Sequence, residues 1–362
     1  MTKLSEIKNN ASKIQLERLS FVYFEHEDLN AFEKFAADFG LVEAWRGKEV
    51  ILYRGYGRDQ FCYVARKAGP GGTKFGGPAF VAQTQADLDK AAALEGAQLN
   101  SLDPFPGGGR QVTLKTPAGF YLHIIFGQED RPAANTAPSR VVENQGPLNG
   151  SINKRRFGEF QRYVSGPALV HKLGHCGYNV GNWDEEVEWY CSQFNIVPSD
   201  VQYSPKNPDL DVITFLHLDL GERYSDHHSL FLARAMPGEH NHMHHTSYEV
   251  EDFDTQLLGH QWLANKGHYA LWGVGRHILG SQIFDYWRDP SGFTIEHYAD
   301  GDLVNIHTGT QRSAAGAFAV WGPEIPKDFS ADGTKFHRAN STSDASESVK
   351  FTATNGEAAK VG

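Results

Sequence analysis

Cysteine is scarce in this chain of 362 residues. The three present, Cys62, Cys176 and Cys191, are scattered and odd in number. They make no disulfide framework, and their spacing matches no zinc motif. Reduced thiols in a cytoplasmic protein are therefore expected. Long hydrophobic runs are also missing. No stretch approaches the roughly 18 apolar residues that a membrane helix needs. The opening residues Met1 to Glu6 are polar and lack the apolar core of a secretory signal. No membrane partner is expected. Nor is there an excess of basic residues: Lys and Arg number 34 against 44 Asp and Glu, a formal net charge of -10. A nucleic-acid surface needs clustered cations, so no nucleic-acid partner is expected either. What is left is a soluble globular profile, 40% hydrophobic and 22% charged, with length enough for two or three domains.

Histidine is abundant and uneven. Of 17 in the chain, 14 fall between His171 and His307. Histidine is the commonest metal ligand and a frequent proton carrier, so the chemistry is expected in the second half.

Two segments look like copies of one module. The first opens Leu19-Ser20-Phe21-Val22-Tyr23-Phe24, the second Leu173-Gly174-His175-Cys176-Gly177-Tyr178. Each runs on into a helix. Leu29, Phe32, Phe35, Ala36 and Phe39 form the stripe of the first, predicted over residues 28–39 with Asp28 as N-cap and Gly40 as stop. The second is predicted over residues 183–194, with Asn182 and Glu185 as a capping box. The modules also end alike: Pro117-Ala118-Gly119-Phe120-Tyr121-Leu122-His123 parallels Pro290-Ser291-Gly292-Phe293-Thr294-Ile295-Glu296. A second strand-to-helix unit starts near Phe80 in one and near Tyr248 in the other. The expected division is an N-terminal arm (1–15), a first module (16–128), a linker (129–165), a second module (166–305) and a C-terminal tail (306–362), disordered or loosely draped after about Asp328.

Alternate residues of a strand face opposite sides. Near residue 175, Cys176, Tyr178 and Val180 share an apolar face, leaving His175 and Asn179 opposite. After His245, Thr246, Tyr248 and Val250 share one face, leaving His245, Ser247 and Glu249. After Gly292, Phe293 and Ile295 share a face, leaving Thr294 and Glu296. Each strand thus offers one candidate ligand on its polar side: His175, His245 and Glu296. Two neutral imidazoles and one carboxylate suit ferrous iron with open positions, and also Mn, Zn or Co. At the matching places the first module has Phe21, Gly77 and His123, which cannot hold the same metal.

These residues resemble the type I extradiol catechol dioxygenases of the vicinal oxygen chelate superfamily, over about residues 16–305. The motifs are Leu173-Gly174-His175-Cys176, His227-His228-Ser229-Leu230-Phe231, Met243-His244-His245, Gly275-Arg276-His277, and Tyr286-Trp287-Arg288-Asp289-Pro290-Ser291-Gly292 leading to Glu296. The run from His277 through Tyr286 to Glu296 is very similar to the family signature. The resemblance implies an α+β fold of tandem βαβββ modules, forming curved, partly open barrel-like mixed sheets in two domains. It implies His175, His245 and Glu296 as ligands of Fe(II), with Mn(II) as the alternative metal. It implies His228 as the histidine beside the oxygen site, and His277 and Tyr286 as partners of substrate oxygens. The expected activity is insertion of both atoms of O2 into a catecholic substrate beside its vicinal diol, by a homo-oligomer. Asn179 and His217 are further candidates around the site. His227, His240, His242, His244 and His268 are expected to be surface or structural. Three other readings share the fold: a glyoxalase-type isomerase, a keto-acid dioxygenase with the same ligand types, and a binding protein without catalysis. Phe21 and Gly77 argue against the first. The set His228, His277 and Tyr286 favours extradiol cleavage over the others.

Overall fold

The computed structural model describes residues 4–132 and 147–336. The first module runs β1 (Leu16–His26), α1 (Leu29–Asp38), β2 (Val42–Arg46), β3 (Val50–Arg54) and β4 (Tyr63–Lys67). It continues with β5 (Lys74–Ala82), α2 (Gln85–Ala92), β6 (Gln98–Ser101), β7 (Arg110–Lys115) and β8 (Tyr121–Phe126). Asp28 caps α1 as expected, accepting from the backbone N–H groups of Asn30 and Ala31. The strands form one sheet in the order β2-β3-β4-β1-β5-β8-β7-β6. Two βαβββ units thus meet edge to edge where β1 pairs antiparallel with β5.

The second module repeats this with additions. Its first half is β9 (Leu173–Val180), α3 (Trp183–Gln193), β10 (Ile196–Ser204), β11 (Asn207–Leu218), the short β12 (Ser225–Asp226) and β13 (Leu230–Arg234). Its second half is β14 (His242–Glu249), α4 (Phe253–Asn265), β15 (Tyr269–His277), β16 (Ile283–Arg288) and β17 (Thr294–Ala299). After these come β18 (Leu303–Val304), β19 (Gln311–Ala314), β20 (Ala319–Trp321) and α5 (Gly333–Phe336). The sheet order is β19-β10-β11-β13-β9-β14-β17-β16-β15-β20, with β12 and β18 paired apart. Both sheets are mixed and open, as the expected fold class requires.

Strand register aligns the modules residue by residue. Ala79 of β5 lies opposite Phe21 of β1 and His123 of β8. Ser247 of β14 lies opposite His175 of β9 and Glu296 of β17. Phe21 therefore occupies the place of His175, His123 that of Glu296, and Gly77 that of His245. The first copy is filled: Phe21, Tyr23, Leu52 and Phe61 pack together, and His123 bonds Thr113 and the carbonyl of Gly76. At Gly77 the backbone has φ +100°, and a Cβ would lie 2.1 Å from the carbonyl oxygen of Tyr121. No side chain fits there.

The modules share one apolar core. Phe24 meets Phe293 with ring centroids 4.6 Å apart, Phe39 stacks on His297 at 3.7 Å, and Phe120 stacks on Tyr178 at 4.4 Å. No helix among the described residues is long and apolar enough to cross a membrane.

Two expectations need correction. Asn182 makes no side-chain cap bond; it donates to Glu185 Oε2 instead. The tail opens with strands, and its part after Asp328 is not loose at its start. β19 lies parallel to β10, and β20 pairs antiparallel with β15. Beyond β20 the chain is strapped down by its carbonyls. Ser330 O accepts from Asn179 Nδ2 at 3.0 Å, and Asp328 O and Ala331 O accept from Arg288. Polar composition hides such an anchor, because the bonds are made by backbone groups. The rest of the expected tail, and residues 133–146 of the expected linker, lie outside the described residues.

Candidate metal centre and cavity

The adjacent strands β9, β14 and β17 carry His175, His245 and Glu296 to one point. All three are buried, and their candidate ligand atoms lie within 4.8 Å of one another. His175 Nε2 is 3.1 Å from His245 Nε2 and 3.1 Å from Glu296 Oε2; His245 Nε2 is 3.6 Å from the same oxygen. Two ligands set at right angles about 2.1 Å from an ion stand about 3 Å apart, so the spacing suits a shared ion. The hydrogen-bond pattern agrees. Neither oxygen of Glu296 accepts a hydrogen bond from the chain, although the residue is wholly buried. A buried carboxylate without partners costs several kcal/mol, which a cation offsets. These residues fit a divalent metal held by two imidazoles and one carboxylate.

The register of β14 against β9 slips between Met243 and His245. Strict alternation would send His244 away from the face of His245. The bulge instead lets both line the cavity. Their Nδ1 atoms are 2.7 Å apart. With Nε2 of His245 turned to the centre, its Nδ1–H donates to His244, which orients the ligand ring. Burial pushes His244 down to about 3, so it accepts as a neutral ring.

His228 lies tilted against His175, ring centroids 4.0 Å apart. Burial first, then the neighbouring ring of His175, holds it neutral, well below its ordinary value. His277 and Tyr286 form a second polar wall. The carbonyl of Phe318 only accepts, so His277 donates to it from Nδ1 at 3.1 Å. Its Nε2 is then an acceptor, and the Tyr286 hydroxyl donates to it at 2.9 Å. Burial, with Glu296 beside it, raises Tyr286 well above its ordinary value and keeps it a neutral donor. The expected residues His175, His245, His228, His277 and Tyr286 all line one cavity.

Asn179 and His217 have other duties. Asn179 binds Ser330 and His242, and His217 bonds Ser199. His240 is exposed, whereas His227, His242 and His244 are buried. Several lining residues carried no motif: Gln202, Phe215, Leu279, Gln282, Phe318 and Phe329. Gln202 Oε1 is buried without a partner. Among the described residues that line the cavity there is no Lys or Arg. Alternation could have suggested Gln202 on β10, but nothing in the sequence marks Phe318 or Phe329.

Residues 172–297 match the sequence profile of the Glyoxalase/Bleomycin resistance protein/Dioxygenase superfamily. The match covers the second module, about a third of the chain. More particularly, the chain is a homologue of metapyrocatechase 2 of Cupriavidus necator: the two are 29% identical over 250 residues, 67% of this chain and 70% of that one. Among solved structures it is similar to homoprotocatechuate 2,3-dioxygenase from Brevibacterium fuscum in its anaerobic complex with 3,4-dihydroxyphenylacetate. The TM-score is 0.70 at 15% identity, over 90% of this chain and 94% of that one. It is also similar to the Mn(II)-bound glyoxalase from Novosphingobium aromaticivorans, with TM-score 0.68 and 18% identity over 87% and 93%. These likenesses show a common fold.

Proposed function

We propose that this protein is an extradiol ring-cleaving dioxygenase. It would insert both atoms of O2 into a catecholic substrate beside the vicinal diol, using Fe(II) held by His175, His245 and Glu296. The observation that carries this reading is the bare, buried Glu296 beside two converging imidazoles. Homology to metapyrocatechase 2 supports the reaction class. The metal that His175, His245 and Glu296 would hold would supply Lewis-acid and redox chemistry for the diol and O2. Chemistry with O2 calls for a redox-active ion, which favours Fe(II) or Mn(II) over Zn(II).

The chain's own groups handle protons and orientation. Tyr286 gives its one proton to His277 Nε2, which sets the phenol's direction, and presents its oxygen as an acceptor to a substrate hydroxyl. His228, held neutral by burial, is a proton acceptor and later donor at the ring nitrogen facing the cavity. Phe215, Phe318 and Phe329 keep water from the ring. The set His228, His277 and Tyr286 in the cavity favours extradiol cleavage over a keto-acid dioxygenase.

The test is anaerobic. The protein is loaded with Fe(II), mixed with a panel of catechols, and exposed to air. A yellow product with one O2 consumed per diol is expected. No product from any diol, with iron bound stoichiometrically, would overturn the proposal.

A further inference from the structure

Behind His228, on the side away from the metal ligands, lies a buried pair that the chemistry above does not use. His227 is 4% exposed and Asp200 is 7% exposed. His227 Nε2 is 2.7 Å from Asp200 Oδ2, and its Nδ1 is 3.1 Å from His228 Nδ1. The three groups form a row, and donor–acceptor logic places the protons along it. A carboxylate only accepts. His227 therefore carries its proton on Nε2 and, as a neutral ring, has a bare Nδ1. A bare nitrogen needs a donor, so His228 must be protonated at Nδ1. That leaves His228 Nε2 as a lone pair for the cavity.

We infer that Asp200 and His227 are positioning residues that hold His228 in its Nδ1–H tautomer, so that Nε2 meets the substrate as a proton acceptor. The inference rests on the ring-cleavage reading for its use, but the proton order rests only on the geometry. The opposite tautomer would present an N–H to the substrate and could not take a proton from it.

The surroundings are built to hold the row still. The backbone of residue 227 is fixed on both sides, its N–H donating to Asp302 O and its carbonyl accepting from Ser199 Oγ. Gly280, with φ +74°, packs on the ring so closely that a Cβ there would lie 2.8 Å from His227 Nδ1. Phe215 lies near both imidazoles, with centroids 5.9 Å from His227 and 5.1 Å from His228.

The experiment is nitrogen NMR of the full chain labelled with 15N-histidine, free of metal, with the His228 ring signals assigned by their loss in His228→Gln. Nδ1 protonated and Nε2 bare is expected for the native protein. In Asp200→Asn the amide donates to His227 Nε2. This forces the proton of His227 to Nδ1 and inverts His228 to the Nε2–H form. In Asp200→Glu the native order is expected to persist. In the iron-loaded enzyme, Asp200→Asn is expected to lower kcat by at least 100-fold with KM for catechol within about twofold, the scale of a misplaced catalytic tautomer. His227→Phe is expected to leave His228 as a mixture of tautomers with a similar loss of kcat. An unchanged His228 tautomer in Asp200→Asn overturns the inference, as does an inverted tautomer with unchanged kcat. If the native enzyme cleaves no diol while Asp200→Asn still inverts the ring, the ring-cleavage reading falls and the positioning row stands.

Discussion

Glu296 sits with no measurable exposure and no hydrogen-bond donor from the chain on either oxygen. In the metal-free protein that carboxylate is a liability of roughly 1–3 kcal/mol or more. Glu296→Gln should therefore melt higher than native protein when both are metal-free, and lower when both are supplied with Fe(II). Calorimetry on the four samples checks the crossing. Bound iron should fall from one per chain to nearly none, and activity with it. His228 behaves differently, since it touches a ligand ring without being a ligand. His228→Ala should keep its iron and lose about 10²–10⁴ in kcat. Full activity would remove His228 from the chemistry. The three candidate ligands were readable because each sits on a strand whose apolar partners alternate cleanly, and because the silent copy holds Phe21 and Gly77 at the matching places. Asp200 and His227 were not readable as a unit. They lie 27 residues apart, and only the packing of β10 under the loop before β13 brings them together.

The segment that follows β20 decides how closed the cavity is. Phe329 packs against His244, Trp272 and Tyr286, with ring centroids 5.0, 4.8 and 4.9 Å away. It touches one wall of the cavity and residues beside the ligands without binding any proton or metal. Phe329→Ala removes a buried aromatic worth about 1.5–3 kcal/mol of apolar burial. KM for catechol should rise about tenfold or more, while iron content stays near one per chain. Steady-state kinetics with iron assay would show it, and an unchanged KM would mean that this element does not cover bound substrate. The opening and closing strands of both modules, the helices α1 and α3, and the start of each second strand-to-helix unit were legible from periodicity and turn signals, whereas the strands between them were expected only as extra strands. This strap was not, because its anchors are backbone carbonyls held by Asn179 and Arg288. The bulge at His244 was equally hidden, since alternation assumes a ladder without slips.

The whole molecule depends on the two modules staying packed, and one polar contact between them is sensitive to pH. Glu186 of α3 is fully buried, and its Oε2 accepts from the backbone N–H of Ala118 in the first module at 2.7 Å. Burial, the largest influence, pushes its carboxyl up to about 7 from an ordinary 4.5. Between those two values the folded state keeps a proton that the unfolded chain has lost. Stability must then fall as pH rises through that window and level off on either side. The loss across it is on the order of 3 kcal/mol. Asp289, raised by burial to about 7, adds a fall of the same sign. Glu186→Gln separates the two, because glutamine keeps an acceptor for Ala118 and cannot ionise. Urea midpoints of variant and native protein should agree near pH 4.5, and the variant should be the more stable at pH 8. The slope left in the variant then belongs to Asp289 and the remaining groups. Parallel curves would mean that Glu186 ionises at no cost to the joint between the modules.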